Sequence, residues 1–195
     1  MTNDNAHTTH QMGSEVDEVA DHHWDAMVQA SPILATALGL DLNQDEYDDL
    51  SPAGMEARYQ LVMDTLDRLD QAMPADDTYR VTVSAMRSSL GLEARHPSRG
   101  LVSVGHDKAN ALHPLHGIAS GVHEIREVYD AMPTETPDQV STVARRLQAI
   151  GAALDGWLQT QRASIDAGVA PAIRQVNLLV EQITSWTGDG GFFDD

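Results

Sequence analysis

The stretch HPLHGIASGVHEIREVYDAMP, residues 113–133, leads into TPDQVSTVARRLQAIGAALDGW, residues 136–157, and the two together decide the fold class. After Gly117 the apolar residues of the first stretch recur at helical spacing, and Pro133 ends that helix. Thr136–Pro137 begins the second helix. Its apolar positions are Val140, Val143, Leu147, Ile150, Leu154 and Trp157. A stripe of this length is typical of a helix packed on a core.

Helical patterns also cover most of the chain on either side. We predict helices from Ser14 to Ser31, from Pro32 to Leu38, from Ser51–Pro52 to Pro74, from Asp77 to Ala94, and from Pro171 to Trp186. Residues 1–13 are polar and without pattern, so we expect a disordered tail there. The prediction is an all-α fold, an irregular bundle of about seven helices, with residues 14–195 forming one domain.

Apolar spacing also predicts which faces of the earlier helices are buried. The third helix carries Met55, Tyr59, Val62, Leu66, Leu69 and Met73, and the fourth carries Val81, Met86, Leu90 and Leu92. In the first helix, the pair His22–His23 is interpreted as one surface histidine and one packed histidine. Trp157 and Trp186 lie at stripe positions, which favours a core role for both.

Composition excludes several classes of function. The 195 residues contain 30 Asp plus Glu against 12 Lys plus Arg, for a net charge of −18. Such a chain repels nucleic acid and anionic membranes, so neither is expected as a partner. With no cysteine there is no thiol nucleophile and no disulfide framework. The first residues lack the pattern of a signal peptide and no window is apolar enough for a membrane span, so we expect a cytoplasmic protein.

The segment from Asp41 to Leu50 places five acids in ten residues. A calcium loop would use alternate positions beginning at Asp41, but Glu46 stands where that loop needs glycine and Pro52 where it needs a bidentate glutamate. We therefore interpret the segment as a solvated acidic loop.

The candidate metal ligands are His116, His123 and Glu127. On one continuous helix, spacings of seven and four residues would place two imidazoles and a carboxylate on one face. Gly117 and Gly121 weaken such a helix, and HEIRE is not the HExxH pattern of zinc peptidases. The other interpretation is a polar, partly exposed helix face, and no catalytic residue or cofactor is assigned.

Several longer phrases carry a family resemblance. Residues 117–157, GIASGVHEIREVYDAMPTETPDQVSTVARRLQAIGAALDGW, and 163–183, ASIDAGVAPAIRQVNLLVEQI, resemble the N-terminal half of the bacterial domain-of-unknown-function 885 family. The earlier phrases SPILATALGL, residues 31–40, and YDDLSPAGMEAR, residues 47–58, are similar to that family's start. The family consists of large helical proteins regarded as zinc metallopeptidases. The resemblance implies that the zinc motif belongs to a C-terminal half, and no position here matches it.

The resemblance leaves two hypotheses for function. In the first, the chain is a non-catalytic helical scaffold or substrate-side domain of a metallopeptidase-like protein, with zinc and a peptide-like substrate belonging to the complete family fold. Phe192–Phe193 at the end of the chain favours a truncated form whose partner is its own missing half. In the second, it is a free-standing helical binding or interaction protein, for example a homo-oligomer.

Overall fold

The computed structural model describes residues 4–74, 76–94 and 128–166, together with positions 173, 176, 177, 180, 181, 184 and 185. The structure describes five helices over these bounds: α1 Asp4–Gln29, α2 Pro32–Ala37, α3 Pro52–Gln71, α4 Asp77–Glu93 and α5 Pro137–Asp166. Residues 128–131 and the described positions between 173 and 185 are also helical, and no described residue lies in a strand. The predicted all-α class is confirmed. None of the described helices combines the length and the apolar character that a membrane span requires.

Helix α1 begins at Asp4, ten residues before the start predicted at Ser14. Residues 4–13, which the sequence pattern assigned to a disordered tail, continue the same helix. A serine can cap a helix only where the residues before it leave the helical conformation. No proline lies between Asp4 and Ser14, and a single glycine at position 13 costs only about 1 kcal/mol. The predicted cap therefore lies inside the helix.

Helices α2, α3 and α4 begin at side-chain caps. The hydroxyls of Ser31 and Ser51 each accept a hydrogen bond from the backbone N–H three residues later, at 3.2 and 3.3 Å. Proline follows both serines and occupies the first helical turn. Asp76 accepts from the N–H groups of Thr78 and Tyr79, at 2.8 and 3.1 Å. These bonds satisfy N–H groups that have no partner within the helix. The helix starts predicted at both Ser–Pro steps are confirmed.

The apolar core lies where α1, α3 and α4 pack together. Its buried members are Val16, Val19, Val62, Leu69, Val83 and Leu90. Arg87 of α4 ties the end of α3 to this core by donating to the Leu69 carbonyl, at 2.9 Å, and to Asp70, at 2.8 Å. This bond satisfies one of the carbonyls that a helix leaves open at its C-terminus.

Three positions of the predicted buried faces lie on the surface instead. Met73, Val81 and Leu92 are 62%, 68% and 57% exposed. Met73 follows the end of α3 at Gln71 and so leaves the helical stripe. In α4 the buried face contains Val83 and Leu90, and Val81 and Leu92 are each displaced from it by two residues, about 200° around the helix.

A histidine lies in the interface between α1 and α3. The Nδ1 atom of His23 is 2.9 Å from the hydroxyl of Thr65, which is 2% exposed. That hydroxyl has a single hydrogen, and it donates to the Leu61 carbonyl at 2.7 Å. His23 is therefore the donor, with its proton on Nδ1. His22 is exposed and His23 half-buried, as the sequence predicted for the pair.

The position of His23 makes stability depend on pH. Burial, together with the neighbouring His22, lowers the pKa of His23 below its ordinary value of 6.5. In the window below pH 6.5, the unfolded chain therefore binds more protons at this residue than the folded chain does. By linkage, stability is lost as the pH falls through that window.

We expect the free energy of unfolding of His23→Gln, taken relative to that of the natural chain, to be larger at pH 5.5 than at pH 7.5, as measured by urea denaturation. The variant removes the imidazole that resists protonation in the folded state. His22→Gln, at the exposed neighbour, is the matched control and should change much less between the two pH values, because burial is the larger cause of the shift. An unchanged pH dependence in His23→Gln would show that another group controls it.

Candidate functional site at a buried arginine

The metal ligands predicted from the sequence, His116, His123 and Glu127, lie outside the described residues, so that site stays a prediction. Within the described ranges, no group of three or more histidine or acidic side chains is arranged to hold a metal ion. The polar cluster that the described structure does contain joins the acidic loop, residues 41–50, to helix α5.

The acidic loop is attached to the helices around it. Asp48 accepts from the Ser31 hydroxyl at 2.7 Å, from the Ile33 N–H at 3.1 Å, and from Arg58 at 3.0 Å. These bonds hold the loop against the start of α2 and against α3. The interpretation as a solvated loop is therefore wrong for Asp48, whose side chain is only 13% exposed.

The side chains at alternate positions of the loop contact different partners. Asp45 binds Arg145 at 2.9 Å, the Tyr47 hydroxyl bonds that of Tyr129, and the Asn43 amide donates to the Gln29 carbonyl at 3.5 Å. Calcium needs six or more oxygens around one point. The described contacts disperse these side chains, so the loop does not form a calcium site.

Arg146 of α5 lies under the acidic loop and is fully buried, with 0% exposure. Its guanidinium has five N–H groups, and each one finds an acceptor. Nε donates to the Glu46 carbonyl at 2.9 Å. Nη1 donates to the Thr36 hydroxyl at 2.8 Å and to the Met132 sulfur at 3.4 Å. Nη2 donates to the carbonyls of Pro32 and Asn43 at 3.3 and 3.4 Å. The arginine thereby joins α2, the acidic loop, residue 132 and α5.

The Arg146 guanidinium is a buried positive charge, and the atoms that accept its hydrogen bonds are uncharged. Burial lowers the pKa of Arg146, and the nearby Tyr47, Tyr129, Asp48 and Asp45 oppose that effect. Arginine stays protonated in proteins even so. The Tyr47 ring lies 5.8 Å from the guanidinium carbon, within cation–π range. Burial is also the largest cause that raises the pKa of both Tyr47 and Tyr129.

Because every donor of Arg146 is occupied by the protein, Arg146 has no free N–H group with which to bind a substrate anion. Its chemistry is positioning: it fixes the acidic loop and the residues around Met132 against α5. Arg145, the preceding residue, lies in contrast at the surface, where its hydrogen bond holds the pKa of Asp45 below its ordinary value.

Helix α5 packs on the rest of the described structure with its small and polar side chains. Gly156 lies so near the start of α3 that an added Cβ would be 3.3 Å from the Ser51 nitrogen. The Thr160 hydroxyl donates to the Leu50 carbonyl at 2.6 Å. Together with buried Arg146, these residues recur on one face of the helix. Polar groups therefore supply the fully buried positions of α5, with Gly156 at its closest approach to α3.

Five apolar residues of α5 face away from that packing. The outer stripe of α5 consists of Val140, Leu147, Leu154, Leu158 and Ile165, which are 51%, 52%, 40%, 41% and 52% exposed. The sequence placed the first three on a buried face, and that prediction is wrong. Trp157, predicted in the core, is half-buried, and Trp186 lies outside the described residues.

Sequence reasoning missed Arg146 because two adjacent arginines look alike in a sequence. The signal that could have found it is the run of small residues at its helical spacing: Ala149, Ala153 and Gly156 follow at steps of three and four. Such a row allows a backbone or loop to approach closely and indicates the packed face of a helix.

The described helices, joined by a satisfied polar cluster, define an all-α protein whose longest described helix presents an apolar outer stripe. The family model described as bacterial protein of unknown function (DUF885) matches residues 32–194, and the chain therefore belongs to this family. The match includes α2, the acidic loop, Arg146 and the outer stripe. A search of curated proteins finds no match to the chain.

We expect Arg146→Met to lower the free energy of unfolding by about 3 kcal/mol or more, because the buried acceptors lose their donors while most of the side-chain volume is kept. The adjacent Arg145→Met is the matched control and should cost less than about 1 kcal/mol, the range of an exposed ion pair. Urea denaturation measures both. Equal, small losses in the two variants would contradict the central role of Arg146.

Proposed function

We propose that the chain is a non-catalytic helical scaffold or substrate-side domain of a metallopeptidase-like protein, contributing one wall of a cleft for a peptide-like substrate. The observation that carries the proposal is the orientation of α5. Its small and polar face is held by Arg146 and Thr160, while the outer stripe is available to contact protein. Exposed apolar rows of this kind are typical of protein-binding surfaces.

The polar chemistry of the described residues also supports a scaffold. Arg146 and Asp48 form hydrogen bonds to other parts of the chain, and so do Tyr47 and Tyr129. These groups therefore hold the fold together. A general acid or a nucleophile, in contrast, must point its reactive group at a substrate. Zinc, in this proposal, belongs to the complete family fold, and the location is the cytoplasm, which fits a chain without cysteine.

The alternative is a free-standing helical binding or interaction protein. The same outer stripe favours it, since five apolar side chains on one helix can dock another helix without further chemistry. The two proposals differ in what occupies the stripe: another part of a peptidase-like protein in the first, an independent partner in the second.

Metal content and peptidase activity test the non-catalytic role. We expect the purified chain to hold less than about one tenth of an equivalent of zinc after gel filtration, and to leave unstructured peptide substrates uncut with or without added zinc. Elemental analysis and a fluorogenic peptide assay give the two readouts.

The contradicting result is about one equivalent of zinc that is lost in His116→Ala or His123→Ala but kept in His22→Ala, the matched control at an exposed histidine of α1. Such a result would make residues 116–127 a metal site, as the two-histidine, one-carboxylate pattern predicts. Peptide cleavage that depends on the same two histidines would replace the scaffold proposal with a catalytic one.

A further inference from the structure

The outer stripe of α5 is narrow and long. At about 100° per residue, its five members fall within roughly 40° of one another around the helix. They extend from Val140 to Ile165, about 37 Å along the axis at 1.5 Å per residue. Gly151 lies on the same face, and a Cβ added there would meet nothing within 4 Å. The stripe is therefore a straight apolar seam with an open centre.

The spacing of this seam is symmetric about its midpoint. Taken in order, the seam positions are Val140, Leu147, Gly151, Leu154, Leu158 and Ile165, and their separations are seven, four, three, four and seven residues. The same series results when the helix is read backwards. A seam of this kind fits a second copy of itself running in the opposite direction.

We propose that the outer stripe of α5 is the contact between two copies of this chain, with the α5 helices antiparallel. This inference rests on the alternative function, a free-standing interaction protein, and it names the partner of that protein. In this register, the sequence numbers of two residues that face each other, one in each copy, always add up to the same total. Val140 faces Ile165, Leu147 faces Leu158, and the small Gly151 faces the large Leu154. Large residues opposite small ones interdigitate, and a twofold axis makes each contact occur twice.

The seam offers no charge by which to recognise a basic partner. The chain has a net charge of −18, yet none of the seam positions is acidic. A basic partner would be recognised through carboxylates, which the chain has in abundance elsewhere. Two copies of so acidic a chain repel each other. The contact must therefore lie on a surface that is poor in acids, and the seam positions of α5 are uncharged, with Asp155 the acidic neighbour of Leu154.

The size of the seam predicts the strength of the contact. A length of about 37 Å and a helix diameter of about 10 Å give a contact of roughly 400 Å² in projection from each copy. The two copies together therefore bury roughly 800 Å², below the roughly 1,200 Å² of total accessible surface at which stable specific interfaces begin, so the contact belongs to the weak, transient class. The dimer should therefore dissociate on dilution, and its concentration dependence is measurable.

Cysteine cross-linking tests the register, because the natural chain has no cysteine. Two single variants are needed, Val140→Cys and Ile165→Cys, oxidised separately and as an equal mixture. In the proposed dimer, residue 140 of one copy faces residue 165 of the other, while identical residues are about 37 Å apart along the axis. A disulfide needs Cα atoms within about 7 Å. We expect a disulfide-linked dimer in the mixture, and less than about one tenth as much from either variant alone.

A matched pair controls for random collision. Gln148→Cys mixed with Ile165→Cys places one cysteine on an exposed position off the seam, and should give no more product than either variant alone. Strong self-linking of Val140→Cys would indicate a parallel arrangement and overturn the proposal. Equal linking in all mixtures would overturn it as well, since collision would then explain the product.

Sedimentation equilibrium gives the independent measurement. We expect the unmodified chain to change from monomer to dimer as its concentration rises, and the double variant Leu147→Lys with Leu158→Lys to stay monomeric with an unchanged helical circular dichroism spectrum. A chain that is monomeric up to millimolar concentration would overturn the dimer. The scaffold proposal would survive that result, because zinc and peptidase measurements decide it separately.

Discussion

The buried guanidinium of Arg146 is the interaction on which the described structure depends. Removing a charged group from water is unfavourable, and it is offset only when every donor finds an acceptor. The acceptors here are three backbone carbonyls, a hydroxyl and a sulfur, supplied by α2, the acidic loop and Met132. Those carbonyls are correctly placed only if the loop turns as it does, with Asn43 and Gly39 at positive φ. Loop and helix therefore determine each other's position.

The orientation of α5 is a consequence of this arrangement. A helix that places an arginine, a threonine and a glycine against its neighbours must turn its larger apolar residues elsewhere. In α5 five of them form the outer stripe, which lies roughly 100° around the helix from Arg146 and roughly 180° from Gly156. The polar interaction thus determines where the protein has an apolar surface to offer. Both proposals for function, the scaffold and the symmetric dimer, depend on that surface.

Local signals in the sequence predicted much of this fold. The Ser–Pro caps at Ser31 and Ser51 and the buried positions Val62 and Leu69 follow from caps and periodicity, which act within a few residues. Periodicity failed for α5 because it identifies an apolar stripe without saying which face meets the protein body. Nor could it distinguish Arg146 from Arg145, since that difference arises from contacts about a hundred residues away in the chain. The metal ligands predicted at His116, His123 and Glu127 stay a prediction.

Hydrogen exchange at the arginine side chains tests the central claim most directly. In a nitrogen-15 labelled sample, the Nε–H of Arg146 should exchange with water far more slowly than that of Arg145, because it is buried and bonded to the Glu46 carbonyl. Its signal is assigned by its loss in Arg146→Lys. Slow exchange of this one group, and fast exchange at Arg145, is the result that the buried cluster predicts. Fast exchange at Arg146 would show that the guanidinium is in water and would contradict the account.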